Sequence, residues 1–472
     1  MLKTNRRLLI AQGVVFVALL LNAFGANTIP DYIILGIAMI IPFILEPMDI
    51  AAYIVGFSMM GTGIQTTYIA IACLLALLLK SKQKIKVVTI IAVLVFVLYE
   101  LVHLLFRPED NLMEYLRYVM AYALLFYIAF MDYDAQARIR MADSFIFGTM
   151  FCIVHIFVET LIFENGDITV FWDGSYRFGY SAQLGVDLTM AADPNLVGQS
   201  CLLVIVLCVS LFLLGYKKRK YYFTAAIALI AGTMTLSKTF IIMLAVMVLL
   251  VFLFAGSWSS SKAFKKRVTF LLFVALGCYA VMQIYPDYLE NIIARAEGDV
   301  TTGRLSGAQK YFAYLMQDMK ALLVGVGMQN VGEKTGIGAS PHASIIEAMT
   351  CWGLVGTIAM ISVLVKATVK HASSIKTRMV NYFPLIIFVI VSQSTQLFRL
   401  RDKVFAMVMV IVFVGIPQTE HIQKIASIRP KPKQLGGGGS INERKTNSVS
   451  CWNRYAECRR SECYHDAGAS IT

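Results

Sequence analysis

The segment "SPHASIIEAMTCWGLVGT", residues 340–357, places two ionisable residues where a turn-forming stretch runs into an apolar one. They are His342 and Glu347. Ionisable residues at membrane depth are costly and usually mark a site or a pathway. The alternative role of His342 is structural: a polar side chain whose hydrogen bonds are satisfied at a helix N-terminus. Glu347 lies about one and a half helical turns further on, too far for direct contact with His342, so the sequence leaves its role open.

Six basic residues fall in segments predicted to face the side of the membrane opposite to most Lys and Arg residues. They are Arg177 in "FWDGSYRFGYS", Lys238 in "MTLSKTFI", Arg304 in "TTGRLSG", and Arg399, Arg401 and Lys403 in "LFRLRDK". Together with His342 they predict a cationic cup on the outer face. Arg offers a planar, bidentate fork for phosphate oxygens and Lys offers a compact point charge. A lipid-linked diphosphate is the natural ligand of such a cup.

Simpler roles for these cations stay open. Arg399 and Lys403 could snorkel and anchor helices at the membrane interface. Arg177 could pair with Asp173 or Asp187 inside its own loop. Lys238 is harder to explain in this way, because it lies in a run of small and apolar residues.

A second polar cluster, "ADPNLVGQS", stands at the start of another outer-facing span. Asp193 and Asn195 are good N-cap types with Pro194 between them, and helix capping alone could explain both. Their predicted position on the same face as the cations keeps them as candidate binding residues.

One Asp-x-Asp pair resembles a metal-binding motif. Asp132 and Asp134 occur in "MDYDAQARIR", but the flanking loop is far too short for the nucleotide-binding domain that such chemistry needs. We interpret the pair as part of a solvated loop. No metal site and no cofactor is predicted.

The composition indicates the class of protein. Of 472 residues, 58% are hydrophobic and 15% are charged, whereas soluble globular chains have about 45–50% apolar and about 25% charged residues. Continuous apolar runs of about 17–25 residues can each cross a bilayer as a helix. We therefore predict an all-α, polytopic integral membrane protein. The net charge of +13 lies in short clusters between the runs, a pattern typical of topology signals and not of nucleic-acid binding.

About fourteen transmembrane helices are predicted. Their starts lie near residues 8, 31, 50, 66, 86, 112, 144, 197, 221, 238, 267, 343, 381 and 403. Basic clusters fall on alternate connections, among them residues 80–86, 138–140 and 217–220. Because Lys and Arg accumulate in cytoplasmic loops, this alternation predicts cytoplasmic N- and C-termini.

Three regions follow from this pattern. Residues 1–143 are predicted as N-terminal transmembrane helices, residues 144–417 as a transmembrane core, and residues 418–472 as a cytoplasmic, disordered tail of flexible composition. Two long connections, 164–196 and 285–342, are predicted on the outer face. In the second, "LSGAQKYFAYLMQDMKALLVGVG" places apolar residues at intervals of three and four, which predicts an amphipathic helix along the outer membrane surface.

The order of these segments resembles the O-antigen ligase and polymerase family, bacterial membrane enzymes that join lipid-linked oligosaccharides outside the cytoplasmic membrane. Five pieces carry the resemblance, namely "SYRFGYS" followed by "DPNLVGQ", "TLSKTFI", "TTGRLSGAQKYF", "LLVGVGMQN" and "SPHASIIEAMTCWGLVGT". The resemblance covers the chain from about residue 144 to about residue 365. Two positions differ from the family pattern: Lys238 replaces an Arg, and Ala343 stands where Asn commonly follows the His.

The resemblance implies a metal-independent, cofactor-free glycosyltransferase with a GT-C-like fold in the bacterial cytoplasmic (inner) membrane. Its substrate would be an undecaprenyl-diphosphate-linked oligosaccharide, and the transfer would invert the anomeric carbon. His342 would accept the proton of the acceptor hydroxyl. Arg304, with Arg177 and Lys238, would stabilise the departing diphosphate. Further candidates for substrate binding are Asp193, Asn195, Arg399 and Arg401. Expected partners are membrane lipid, a chain-length regulator and a flippase, and no nucleic acid.

Four functions remain in competition at this point. The first is a polymerase that lengthens exopolysaccharide, capsule or O-antigen on its carrier lipid. The second is a ligase of the same family that moves the glycan to another acceptor, such as a lipid A core. The third is a flippase or other transporter, which tends to show internal repeats and midplane sites. The fourth, a structural or sensory protein, leaves the outward cations unexplained.

Overall fold

The computed structural model describes residues 6–24, 29–61, 66–106, 110–172, 176–179, 193–254, 304–338, 341–375, 377–399 and 401–419, with isolated positions between 264 and 290. Over these residues the chain forms helices and no strand, which confirms the all-α prediction. Nearly all of the predicted tail lies outside them. The α-helices are α1 Arg6–Phe24, α2 Asp31–Ile40, α3 Pro47–Ser58, α4 Thr66–Lys80, α5 Val87–Phe106, α6 Leu112–Ala129, α7 Ala135–Phe163, α8 Pro194–Leu213, α9 Arg219–Met234, α10 Lys238–Phe254, α11 Arg304–Gln317, α12 Met319–Val324, α13 Val331–Thr335, α14 Ser344–Ala372, α15 Met379–Ser392 and α16 Arg401–Phe413.

Five of these helices are long and apolar enough to cross a membrane: α5, α6, α7, α8 and α14. Shorter apolar helices include α4, α10 and α15. The chain thus has the long apolar helices of a helical membrane protein.

Most predicted span starts coincide with helix starts, to within about three residues. Near residue 144 the structure differs, because α7 already begins at Ala135. Arg138 and Arg140 are therefore helical and do not lie in a loop, and the boundary between residues 143 and 144 falls inside α7. The helix begins early because Asp134 caps it, accepting a hydrogen bond from the Ala137 N–H at 2.6 Å. The predicted start near 267 lies largely outside the described residues.

Helices α3 and α7 pack with their backbones in contact. A Cβ on Gly148 of α7 would lie 2.0 Å from the carbonyl oxygen of Gly56 in α3, so only glycine fits there. Ser144 Oγ donates to the Ala52 carbonyl at 2.5 Å and accepts from the Gln12 side chain of α1. Close approach through small residues, with polar groups bonding across helices, is the packing mode of membrane helices.

The predicted amphipathic helix is in fact two helices, because Asp318 ends α11 and caps α12 by accepting from the N–H groups of Lys320 and Ala321. Its apolar residues also fall on two adjacent faces. Tyr311 and Leu315 are buried against the bundle. The exposed face carries Leu305, Phe312, Met316, Met319 and Leu323.

Helix α14 is interrupted at Gly353, where the segment between α12 and α13 packs against it. Gly353 has φ 61° and ψ −171°, a conformation almost restricted to glycine. Backbone N–H groups of Val326 and Gly327 donate to the carbonyls of Thr350 and Cys351 at 2.8 and 2.9 Å. The segment between α12 and α13 thus satisfies carbonyls in the break, as irregular backbone at membrane depth requires.

One end of the bundle, which we call the basic end, is closed by buried and half-buried cations. Buried Arg138 donates to the carbonyl oxygens of Val412 at 3.1 Å and Tyr133 at 3.3 Å, and contacts His371 Nδ1 at 3.2 Å. His371 Nε2 lies 2.9 Å from the Ala129 carbonyl oxygen. These contacts join the ends of α6, α7, α14 and α16.

Asp132 of the Asp-x-Asp pair lies at the same end. Its carboxylate accepts from Lys86 Nζ at 2.7 Å and lies 3.0 Å from Lys370 Nζ. Burial alone would raise the pKa of Asp132, but the hydrogen bonds and charges of the two lysines bring that pKa below its usual value. The pair therefore serves as a helix cap and an ion-pair partner.

Candidate functional site

Arg177 lies against the turn that leads to Lys238. The Arg177 Nε donates to the Thr235 carbonyl at 3.3 Å, and the Phe178 N–H donates to the Met234 carbonyl at 3.0 Å. The turn is sharp, with Leu236 at φ 50°, and α10 begins at Lys238. Two cations that are far apart in sequence thus belong to one corner of the fold. Asp173 and Asp187, the alternative partners of Arg177, lie outside the described residues.

The start of α8 packs against this same turn. A Cβ on Gly198 would lie 3.0 Å from Thr235 Oγ1. Asp193 caps α8, and its Oδ1 accepts from both the backbone N–H of Asn195 at 2.8 Å and the Asn195 side-chain amide at 3.0 Å. Capping therefore explains the local arrangement of this pair, while exposed Asp193 also lines a cavity.

The cavity, of about 170 Å³, opens among the ends of α3, α8, α15 and α16, and Cys152 from within α7 also lines it. Its polar lining includes Asp193, Gln199, Ser392, Thr395 and Lys403. Its apolar lining includes Leu196, Val197, Leu203, Phe388, Val391, Leu397 and Ala406. A pocket with an apolar wall and a few convergent polar groups is the usual form of a small-molecule site.

Gln199 holds the polar side of the cavity together. Its Oε1 accepts from Lys403 Nζ at 3.1 Å, and its Nε2 donates to Ser394 Oγ at 3.3 Å. Lys403 was predicted either to bind an anion or to snorkel at the membrane surface. In the structure it contacts buried Gln199 and lines the cavity.

His342 lies at the end of α14 that meets this cavity. Two residues further on, Ser344 Oγ donates to the carbonyl of Ser392, a cavity residue, and the Ile345 N–H donates to Gln393 Oε1 at 3.4 Å. The His342 side chain is exposed. The predicted histidine is therefore accessible and close in the fold to the cavity wall.

Glu347 has a structural partner that the sequence did not predict. Its fully buried carboxylate accepts three consecutive backbone N–H groups, from Leu397 at 2.7 Å, Phe398 at 3.0 Å and Arg399 at 3.0 Å. A buried carboxylate is costly unless it is hydrogen-bonded. The sequence did offer one signal, because an acidic residue inside an apolar run needs hydrogen-bond donors from another segment.

Arg399 reaches from this loop to the segment in the α14 break, where its Nε donates to the Met328 carbonyl at 3.0 Å. The Met328 N–H in turn donates to Glu100 Oε2 at 3.4 Å, and Trp352 Nε1 donates to Glu100 Oε1 at 2.8 Å. Glu100, which the sequence reasoning missed, thus ties α5 to Trp352, directly before the break, and to the segment that packs against the break. Arg399 serves at least partly as a structural tie.

A buried ion pair also holds the segment between α12 and α13 in place. Lys334 Nζ lies 2.7 Å from Asp110 Oδ2, with side chains 2% and 3% exposed, and donates to the Val326 carbonyl at 3.0 Å. Sequence reasoning missed this pair, because the two residues lie far apart in the chain and each resembles an ordinary loop charge.

Arg304 and Arg401 are the first residues of α11 and α16, and their side chains lie outside the described part of the structure. Tyr311, in the helix that begins at Arg304, lies near enough to Arg399 to be affected by its charge. Burial raises the pKa of Tyr311, while a hydrogen bond with Thr335 and the positive charge of Arg399 oppose that rise. Arg401 precedes Lys403 of the cavity by two residues.

These contacts define a second end of the bundle, the site end, which holds Arg177, Asp193, Lys238, His342 and Lys403. Among the described residues, no group of three or more His, Cys, Asp or Glu residues has a metal-binding arrangement. Protein-family models give no match to this chain, and neither do curated proteins.

Proposed function

We propose that this protein is a membrane glycosyltransferase that polymerises undecaprenyl-diphosphate-linked oligosaccharide units into exopolysaccharide, capsule or O-antigen. In this proposal it acts on the outer face of the bacterial cytoplasmic membrane. About fourteen spans in a GT-C-like arrangement would place the site end outside and both termini in the cytoplasm.

One observation supports this proposal most: the site end brings cations from separate segments together beside a cavity that one of them, Lys403, lines. The turn before Lys238 contacts Arg177 and packs against the first turn of α8. Lys403 lines the cavity that α8 borders. An amphiphile with a charged head fits a site of this kind, because its diphosphate would meet the cations and the adjoining chain would meet the apolar wall.

The proposed reaction is a single displacement. The acceptor hydroxyl attacks the anomeric carbon, the bond from that carbon to the diphosphate oxygen breaks, and the configuration inverts. His342 accepts the hydroxyl proton as a neutral imidazole. Arg304, Arg177 and Lys238 stabilise the charge that accumulates on the leaving diphosphate.

The test is a set of alanine variants in a strain that lacks the native gene copy. His342→Ala and Arg304→Ala should abolish long glycan chains while single lipid-linked repeats still reach the outer face. Lys310→Ala, an exposed cation on the same helix as Arg304, is the matched control and should leave chain length unchanged. Repeats trapped in the inner leaflet would instead indicate a flippase, and glycan moved to a new acceptor would indicate a ligase.

A further inference from the structure

Three helices that line the cavity each present a polar residue toward the site end and an apolar residue one turn further in. The pairs are Gln199 and Leu203 on α8, Lys403 and Ala406 on α16, and Ser392 and Phe388 on α15. The members of a pair stand three or four residues apart, so they lie on the same face of their helix. The cavity therefore changes from polar to apolar with distance from the site end.

The apolar part of the cavity reaches well into the bundle. From Asp193 to Leu203 the cavity follows ten residues of α8, about 15 Å at a rise of about 1.5 Å per residue. This is about half of a hydrocarbon core of about 30 Å. Sugar hydroxyls at that depth would face Leu203, Phe388 and Ala406, whose side chains offer no hydrogen bonds, and burying them there would be costly. A hydrocarbon chain is the occupant that this depth favours.

The volume limits how much of such a chain the cavity can hold. About 170 Å³ is close to the size of an engineered apolar cavity of about 150 Å³ that binds one benzene molecule. An isoprene unit is a five-carbon group built around a planar double bond, so about one or two such units fill this volume. The remaining units of a long carrier lipid would stay in the surrounding bilayer.

A methyl-branched chain fills a cavity of this kind better than a straight chain does. The apolar lining is formed by a ring and by branched side chains, among them Phe388, Leu203 and Val391. A straight chain leaves gaps where the methyl branches would lie, and a gap of about 0.5–1 Å already forfeits about a quarter to a half of the dispersion attraction. The cavity is therefore expected to discriminate between chains by their shape.

We propose that the cavity binds the first one or two isoprene units of a prenyl diphosphate, those next to the diphosphate, and selects this branched chain over a straight one. The inference rests on the proposed function, which places the diphosphate at the polar end of the cavity beside Lys403. It adds that the protein recognises the beginning of the carrier chain and is indifferent to its length beyond these units.

The test uses the purified full-length protein in detergent micelles with a photoreactive geranyl diphosphate, whose chain consists of two isoprene units. Irradiation should label the segments of α8, α15 and α16 that line the cavity. Unlabelled geranyl diphosphate should compete about tenfold better than decyl diphosphate, which carries the same carbons in a straight chain, because one methylene in a hydrophobic pocket is worth about 10–200-fold. Equal competition would indicate a general lipid site and overturn the proposal, and so would label confined to segments that do not line the cavity.

Ala406→Leu tests the deep wall directly. Ala406 is 2% exposed and lines the cavity, so the longer side chain occupies the space of an isoprene unit and should lower competable labelling about tenfold. Val408→Leu is the matched control, a buried position of the same helix that does not line the cavity, and it should leave the preference for geranyl diphosphate unchanged. Wild-type labelling in Ala406→Leu would contradict the assignment.

A second variant covers the case in which Ala406→Leu does not fold. Leu203→Ala widens the same part of the cavity and should reduce the preference for the branched chain to about threefold or less, because the contacts that distinguish the two chains are lost. A preference as large as in wild type would overturn the proposal.

Elongation of natural lipid-linked repeats is assayed in parallel. Elongation without a preference for the branched chain would overturn this inference alone. A preference for the branched chain without elongation would refute the proposed polymerase and leave the cavity as a prenyl-diphosphate site.

Discussion

Cations serve different purposes at the two ends of the bundle. At the basic end, Arg138 contacts His371 and the carbonyls of Val412 and Tyr133, which closes four helix ends on one another. At the site end, Lys403 lines a cavity of about 170 Å³, and the turn before Lys238 borders the helix that forms its wall. Buried charge joins helices in the first case, and we infer that half-buried charge holds a ligand in the second case.

Helix α14 connects the two ends. It begins beside the cavity at Ser344, carries Glu347 and the Gly353 break, and ends with Lys370 and His371 at the basic end. The two ends are therefore expected to respond differently to substitution. Changes at the site end should lower activity in a protein that stays folded, whereas changes at the basic end or in the break should lower stability.

The largest effect is expected for His342→Ala. Loss of the general base of the proposed reaction costs about 10²–10⁴-fold in rate, and the side chain is exposed. Elongation assays on protein of unchanged melting temperature should show this loss. Rates within threefold of wild type would remove His342 from the mechanism and weaken the distinction between the two ends.

The second effect concerns the break in α14. Gly353→Ala places a Cβ 2.3 Å from the Leu323 carbonyl carbon, at φ 61°. We expect a cost of about 1–3 kcal/mol for the backbone conformation and about 1–3 kcal/mol for overpacking, measured by thermal unfolding in detergent. The matched control is Gly307→Ala in α11, where no atom lies within 4 Å of the new Cβ. It should be neutral or stabilising by about 0.5–1 kcal/mol.

The third effect tests the basic end directly. Arg138→Met removes the donor to the Tyr133 carbonyl, and a buried unsatisfied group costs about 1–3 kcal/mol. The Val412 carbonyl also loses this donor but keeps its bond from the Gly415 N–H at 3.2 Å. We expect a lower melting temperature but an elongation rate per folded molecule within twofold of wild type. Lys238→Ala is the contrasting variant, with an expected rate loss of about 10²-fold and little change in melting. A rate loss for Arg138→Met together with a lower melting temperature for Lys238→Ala would contradict the proposed difference between the two ends.

The smallest effect is a pH dependence at Asp132. Its pKa is lowered in the folded protein, so its stabilising contribution is present above the unfolded pKa of about 3.9 and is lost as pH falls through the lower, folded value. The side chain is 65% exposed, which limits the contribution to about 0–1 kcal/mol. The unfolding free energies of wild type and Asp132→Asn should therefore differ at pH 6 and converge as the pH falls below about 3.9.

The sequence predicted the helices better than the partners of their charges. Apolar runs and the cap at Asp193 located most helix starts, because these signals are local. The cap at Asp134 was missed, and α7 begins earlier than predicted. The Glu347 contacts with residues 397–399 and the Lys334–Asp110 pair join segments far apart in the chain, and no local pattern specifies them. Arg138 resembled a loop charge for the same reason, since only the ends of α14 and α16 make its position buried.

The candidate site was predicted in part. Sequence order suggested that Arg177, Asp193, Lys238 and His342 share one face, and the structure places their segments at one end. Arg399 differs from the prediction in that it ties two segments together through Met328. The cavity itself could not be predicted, because residues from α3, α7, α8, α15 and α16 line it, and most of these helices are far apart in the sequence.

The broken helix also bears on biogenesis. A nascent α14 leaving the translocon alone would carry the Thr350 and Cys351 carbonyls into lipid without the N–H groups of Val326 and Gly327 that satisfy them. The upstream segment must therefore stay docked beside the emerging helix during insertion. A split version of this protein, cut between residues 331 and 344, should assemble only when both fragments are synthesised together.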